Sequence, residues 1–215
     1  MKNLRPVFWT TAAVSILVLH ASARAAESPL GAVRSTIERA TAVLQDPAYQ
    51  GKEKRPQRVG KVRDIILPRF DAQEMAKRAL GTHWRTRTED ERKKFVQLFI
   101  VLVETTYSQT LDRYNRGMQF FFDHERIEGD FAEVDTRIVD PAQNKTFVVN
   151  YRLHKIGETW LVYDVVAENI SLVRNYRTQF HRILSESPYS ELVRKIEGKV
   201  KELDIVSAQV PGASS

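Results

Sequence analysis

The side chains able to do chemistry are few and scattered. Of the five histidines, His20 lies near the N-terminus, and His83, His124, His154 and His181 share neither an i, i+4 spacing nor an H-E-x-x-H pattern. The chain has no cysteine, which removes a thiol nucleophile, an iron–sulfur site and most zinc ligand sets. It holds no G-x-S-x-G, no P-loop and no G-x-G-x-x-G. Asp164 and Glu168 sit near the end of an expected strand and could serve as general acid or base. Neither has a partner at a useful spacing, so a strand-end or turn role is the reading. Tyr163 and Asp164 fall on opposite faces of a regular strand, which denies a cavity both a hydroxyl and a carboxylate. His83-Trp84-Arg85 reads as a buried Trp with two polar flanks rather than a binding cluster. The sequence therefore predicts no catalytic residue, no metal and no cofactor.

What the chain has in quantity is apolar surface at regular spacing. Thr88-Glu89-Asp90-Glu91 is a capping box, and it opens a helix expected from Glu89 to Tyr114. Phe95, Leu98, Phe99, Leu102, Thr106 and Leu111 form one stripe, and Val96, Ile100, Val101, Val103 and Tyr107 widen it. A helix covering a core on one side needs a stripe of about 100°. This one should be buried on nearly all sides or line a cavity.

After Asn115-Arg116-Gly117 the period changes from helical to alternating. Phe120, Phe122 and Ile127 mark a first strand, and Ala132, Val134, Thr136 and Ile138 a second. Phe147, Val149, Tyr151 and Leu153 mark a third, and Val162 lies in a fourth over 159–166. Glu128-Gly129-Asp130, Asp140 to Asn144 and Lys155 to Glu158 supply the turns. Four strands with short connections make an antiparallel meander with one buried face.

Helices flank the meander. Ser28-Pro29 opens one carrying Leu30, Val33, Ile37, Ala40 and Leu44; Asp46 to Pro56 reads as a loop, and a second helix ends at Pro68. Asp71 with Glu74 caps a third, which Gly81 ends. Ser171 caps a helix with Leu172, Tyr176, Phe180, Ile183 and Leu184 inward, and Pro188 opens the last, with Leu192, Ile196, Val200 and Leu203 in register. Helices, meander, helices is an α+β plan, a curved sheet with helices across one face.

Residues 1–26 differ in composition. Lys2 and Arg5, the apolar run Val7 to Leu19 and the small residues Ala21 to Ala26 read as a cleaved signal peptide, with no cysteine after it to take a lipid. The domain expected is 27–205, followed by a flexible tail over 206–215. The whole chain carries 33 basic and 27 acidic residues; three basic residues and no acid lie in the leader, so the remainder carries +3. Its charges are interleaved, which argues against nucleic acid. The run Lys52 to Arg55 with Arg58 reads as a solvated loop with at most a weak pull toward an anionic membrane.

Phe70-Asp71, Met75, Gly81, Trp84, Thr88, Phe95 to Tyr107 and Leu111 to Tyr114 resemble the first signature of the MlaC, or toluene-tolerance, family. The unbroken stretch from Trp160-Leu161-Val162-Tyr163-Asp164 through Asn169-Ile170-Ser171 to Asn175-Tyr176-Arg177-Thr178-Gln179-Phe180 resembles its second signature closely. Likeness runs from about Ala32 to Leu203. One departure is Asn169, where the family usually has glycine; Asn is the next most tolerant residue of a left-handed backbone.

The resemblance implies an NTF2-like cone with extra helices, enclosing an apolar cavity. It implies a periplasmic carrier, not an enzyme, that shuttles phospholipid between outer and inner membranes and maintains outer-membrane lipid asymmetry. The implied partners are an inner-membrane ABC lipid transport complex and an outer-membrane lipoprotein–porin complex. A hopanoid-associated group is a near relative, and a polycyclic lipid is the second ligand class. An NTF2-like enzyme and a structural envelope adaptor are the readings from other classes. A phospholipid has roughly thirty methylenes, whose exposure at ~0.8 kcal/mol each would cost on the order of 25 kcal/mol, so a shuttle needs an apolar lining. The expected lining is Val96, Phe99, Val103, Tyr107 and Leu111 of the long helix, Phe120, Phe122, Phe147, Val149, Tyr151, Leu153 and Val162 of the sheet, and Leu172 and Tyr176 after it.

Overall fold

The computed structural model of the chain describes residues 27–112 and 117–209, with side chains for 27–107 and 117–203. The expected leader and the last six residues lie outside that range. Three helices precede the long one: α1 (Pro29–Gln45), α2 (Arg55–Ile66) and α3 (Ala72–Leu80). The long helix α4 (Glu89–Asp112) leads into the strands β1 (Gln119–Glu128), β2 (Phe131–Asp140), β3 (Lys145–Ile156), β4 (Thr159–Ala167) and β5 (Ile170–Ser171). Two helices follow, α5 (Leu172–Glu186) and α6 (Tyr189–Gln209).

Local chemistry sets the boundaries. Ser28 accepts from the Gly31 amide at 3.0 Å, Asp71 from Glu74 at 2.9 Å and Ser171 from Arg174 at 3.0 Å, each satisfying an orphan amide of a first turn. The capping box of α4 closes reciprocally: the Thr88 amide donates to Glu91 at 2.9 Å and the Glu91 amide to Thr88 at 3.2 Å. Gly81 ends α3 at φ 62°, ψ −134°, a backbone that only glycine adopts without strain.

The sheet is antiparallel in the order β1-β2-β3-β4-β5. It has one strand more than the four expected. Glu168 and Asn169 take left-handed φ of 48° and 64°, reversing the chain so that Ile170 and Ser171 pair back onto Ala167 and Val166. The position where the family favours glycine is thus a turn that needs a left-handed residue, and Asn supplies it. α6 also runs on to Gln209, past the tail expected from 206, and the expected loop over 46–56 contains a 3-10 turn, Pro47–Tyr49, and the start of α2.

Two apolar clusters form the interior. One is helical: Met75, Ala79, Leu80, Phe95, Phe99, Leu102, Tyr176, Phe180, Leu192 and Ile196 join α3, α4, α5 and α6. The other lies between α1 and the sheet, where Ala32 and Val33 meet Ala132, Val134, Leu153, Trp160 and Val162. Phe70 touches both, and its neighbour Asp71 donates its amide to the Val162 carbonyl at 2.9 Å. That bond ties the helices to the β4 edge. Of the two readings of α4, a helix buried on nearly all sides or a cavity wall, the first does not hold. The buried stripe of α4 is Phe95, Phe99 and Leu102, while Val101 is 40% and Tyr107 43% exposed.

Candidate functional site

Strand register puts the apolar residues of the meander on one face, row by row. Phe120 stands opposite Ile138, which stands opposite Phe147; Phe122, Thr136 and Val149 make the next row. Val134, Tyr151 and Val165 follow, then Ala132, Leu153 and Val162. The last two rows and Trp160 hold the α1 contact. Hydrogen bonds pin α1 there: the Leu30 amide donates to Glu125 on β1 at 2.7 Å. Arg69 donates to the Trp160 carbonyl at 3.0 Å and to Thr36 on α1 at 3.2 Å.

Toward the other end the same face is covered less completely, although Thr136 is buried and Phe122 still packs against the α1 cluster. Phe120, Phe122, Ile138 and Val149 keep accessible surface and Phe147 is 37% exposed. Tyr151 stands between the two conditions. Burial pushes its phenol up to about 12, yet its side chain is only partly occluded. Its hydroxyl has no hydrogen-bond partner among the described residues. Arg34 of α1 lies 4.8 Å from the Phe122 ring centre, at the border of the two halves.

The residues expected to line a pocket divide into three groups. Phe99, Leu153, Val162 and Tyr176 are buried in the two clusters. Phe99 meets Tyr176 edge to face at 5.3 Å, and the Tyr176 hydroxyl donates to Thr106 at 3.3 Å; burial pushes that phenol up as well. Val96, Val103 and Leu172 are half-buried against the helical cluster. Tyr107, Phe120, Phe122, Phe147, Val149 and Tyr151 are the accessible group. The Leu111 side chain lies outside the described residues. A period can assign a strand face, but it cannot say which rows a helix will cover.

The polar residues set aside in the sequence also find places. Asp164 is buried: it accepts from the Ser171 hydroxyl at 2.6 Å and from the Val173 amide at 3.1 Å. With both oxygens bonded at the start of α5, it holds β4 and α5 together. The inference that Tyr163 and Asp164 point to opposite sides fails, because the β3–β4 register jumps between them. Arg152 pairs Asp164 and the next residue, Leu153, pairs Val162, leaving Tyr163 as the extra residue of a bulge. Both therefore line one cleft of about 250 Å³ with Arg78, Arg152, Arg174 and Arg177. Sequence alternation missed this cleft; nothing in the pattern of β4 marks a bulge. Trp84 is buried, with the Arg92 guanidinium 5.5 Å from its ring centre, and His83 lies 3.4 Å from His181 of α5.

An open antiparallel sheet, crossed by a helix over half of its apolar face and tied at one edge to a helical cluster, defines an α+β fold. The chain belongs to the MlaC family: the family model described as MlaC protein matches residues 34–198. A relative from Haemophilus influenzae, the intermembrane phospholipid transport system binding protein MlaC, is 23% identical over 139 residues. That match covers 63% of this chain and 65% of the relative. The solved structure of a phospholipid-binding protein from Ralstonia solanacearum, in complex with a phospholipid, superposes with a TM-score of 0.71 at 21% identity, over 81% of this chain and 98% of that one. This likeness establishes the fold. No helix among the described residues is long and apolar enough to cross a membrane.

Proposed function

We propose that the protein is a periplasmic phospholipid carrier that takes acyl chains against the uncovered half of the sheet's apolar face. The observation that carries this reading is the unequal covering of that face. α1 seals the row of Ala132, Leu153 and Val162 and only partly covers Tyr151 and Phe122, while Phe147 and Val149 continue the same apolar surface with accessible area. Exposed apolar surface of this kind is costly in water, at roughly 25 cal/mol per Å², and it marks a surface that a ligand covers. Val103 and Tyr107 of α4 are included in the proposed lining on their sequence spacing. Membership of the MlaC family and the phospholipid bound by the Ralstonia protein agree with this ligand class.

Exchange with an inner-membrane ABC complex and an outer-membrane lipoprotein–porin complex, in the service of lipid asymmetry, is the wider role proposed. Mass spectrometry of gently purified protein tests the core of it. Co-purifying phospholipid is expected at about one molecule per chain. A polycyclic lipid in its place would move the reading to the hopanoid class. Protein that is empty, and stays empty after incubation with phospholipid vesicles, would refute the carrier.

A further inference from the structure

On the opposite face of the sheet lies the arginine-lined cleft that no apolar pattern announced. Arg78 from α3, Arg152 from β3 and Arg174 and Arg177 from the first turns of α5 surround a recess of about 250 Å³, with Tyr163 and Asp164 of β4 in its wall. Arg152 is partly neutralised, 3.4 Å from Asp164 and 3.8 Å from Glu133. Arg78 reaches Glu74 at 2.8 Å and stacks 4.2 Å from the centre of the Tyr163 ring. Arg174 and Arg177 are exposed and have no acid partner among the described residues. Elsewhere Arg63, Arg69, Arg87, Arg137 and Arg194 each close on a carboxylate, while Arg34 and Arg92 lie against aromatic rings.

The fold also shapes this recess. A Cβ at Gly81 would lie 3.1 Å from the Arg177 Nε, so the bare glycine lets that side chain lie flat against the end of α3. Asp164 and Ser171 already occupy the Val173 and Arg174 amides, which leaves the guanidiniums as the donors available to a ligand. Planar guanidinium forks match carboxylates in bidentate geometry. Phe131, 50% exposed, meets Tyr163 edge-on at 6.1 Å and extends an aromatic rim beside the charge. Arginine beside tyrosine and phenylalanine in a recess is the composition of a protein-binding hot spot.

We propose that this cleft docks an acidic segment of a partner protein, one carboxylate entering between Arg174, Arg177 and Arg78 with an apolar neighbour resting on Phe131 and Tyr163. The sheet separates the cleft from the apolar face, since Arg152 alternates with the inward Tyr151 and Leu153. A lipid held on the apolar face therefore cannot place its own phosphate here. A side-chain carboxylate with an apolar neighbour matches the guanidiniums and the aromatic rim together, which favours a protein segment over a lipid headgroup. This site does not depend on the lipid reading, and lipid content is expected to be unaffected by its loss.

The test uses the full-length mature chain and a fluorescein-labelled hexaglutamate peptide, read by fluorescence anisotropy. Arg174→Gln/Arg177→Gln should weaken binding at least tenfold, and Arg174→Lys/Arg177→Lys should recover only part of it, because charge without the fork is insufficient. Arg39→Gln/Lys201→Gln removes the same charge at two exposed sites elsewhere and should bind within about twofold of wild type; circular dichroism checks the fold of each. Equal losses in both Gln pairs would overturn the site in favour of a general field. Sedimentation with phosphatidylglycerol vesicles is the second arm: if vesicle binding depends on Arg174 and Arg177 while the peptide does not bind, the partner is a membrane and the proposal fails. An unchanged lipid content in the Gln pair keeps either result separate from the carrier reading.

Discussion

The helical cluster and the apolar face of the sheet use the same kinds of side chain and reach opposite states. In the cluster, Phe95, Phe99, Tyr176 and Phe180 lock edge to face at centre distances of 5.3 to 6.2 Å, and each is buried. On the sheet, Phe120, Phe122, Phe147 and Tyr151 stand in rows of equal apolarity and stay accessible. The difference is the number of elements that converge. Four helices close on the first set, whereas α1 covers the Leu153 and Val162 row of the second and only partly reaches Tyr151 and Phe122. Apolar character alone does not distinguish structural core from binding surface; the covering element does.

Perturbing the two regions should separate stability from binding. The largest effect expected is from Phe99→Ala, which empties the middle of the aromatic lock: unfolding free energy should fall by about 3–5 kcal/mol, measured by urea denaturation. A loss below 1 kcal/mol would show that the cluster relaxes around a site less tightly filled than its geometry indicates. Next, Gly81→Ala forces a Cβ into a glycine-only backbone conformation beside Arg177. A cost of about 1–3 kcal/mol is expected in the same assay.

Val149→Trp acts on the uncovered rows. Bound phospholipid should drop severalfold while stability changes by less than about 1 kcal/mol, since Val149 is partly accessible and outside both buried clusters. Undiminished lipid would place the cargo elsewhere.

The smallest effect concerns pH. Burial, with the nearby charges of His181 and Arg87, holds the His83 imidazole below its ordinary value. The unfolded chain then takes up a proton that the folded one resists, so stability falls as pH drops below the ordinary histidine range near 6.5, and levels off below the depressed folded value. His83→Gln should flatten the slope of melting temperature between pH 7 and 5. An unaltered slope would show that His83 does not carry it.

Much of the fold was legible in the chain. Capping pairs such as Asp71–Glu74 and Thr88–Glu91 act within a single turn, and the alternation of Ala132, Val134 and Thr136 reports directly on a sheet face. β5 was not legible, because two residues carry no period; only the left-handed Glu168 and Asn169 bring them back onto β4. The candidate site was half legible. Spacing put Phe147, Val149, Tyr151 and Leu153 on one face, but it treated a buried Leu153 and an accessible Phe147 alike. The arginine cleft was invisible, since its members come from four elements and the bulge at Tyr163 breaks the alternation used to read β4.

By itself the sequence determined the α+β plan, the helix starts, the strand faces and the absence of a catalytic motif, because each follows from neighbours within a few residues. Only the tertiary structure decided that α1 covers one end of the sheet more fully than the other, and that arginines of α3, β3 and α5 meet on the opposite face. Those outcomes depend on which elements come together across the fold, and local spacing holds no record of that.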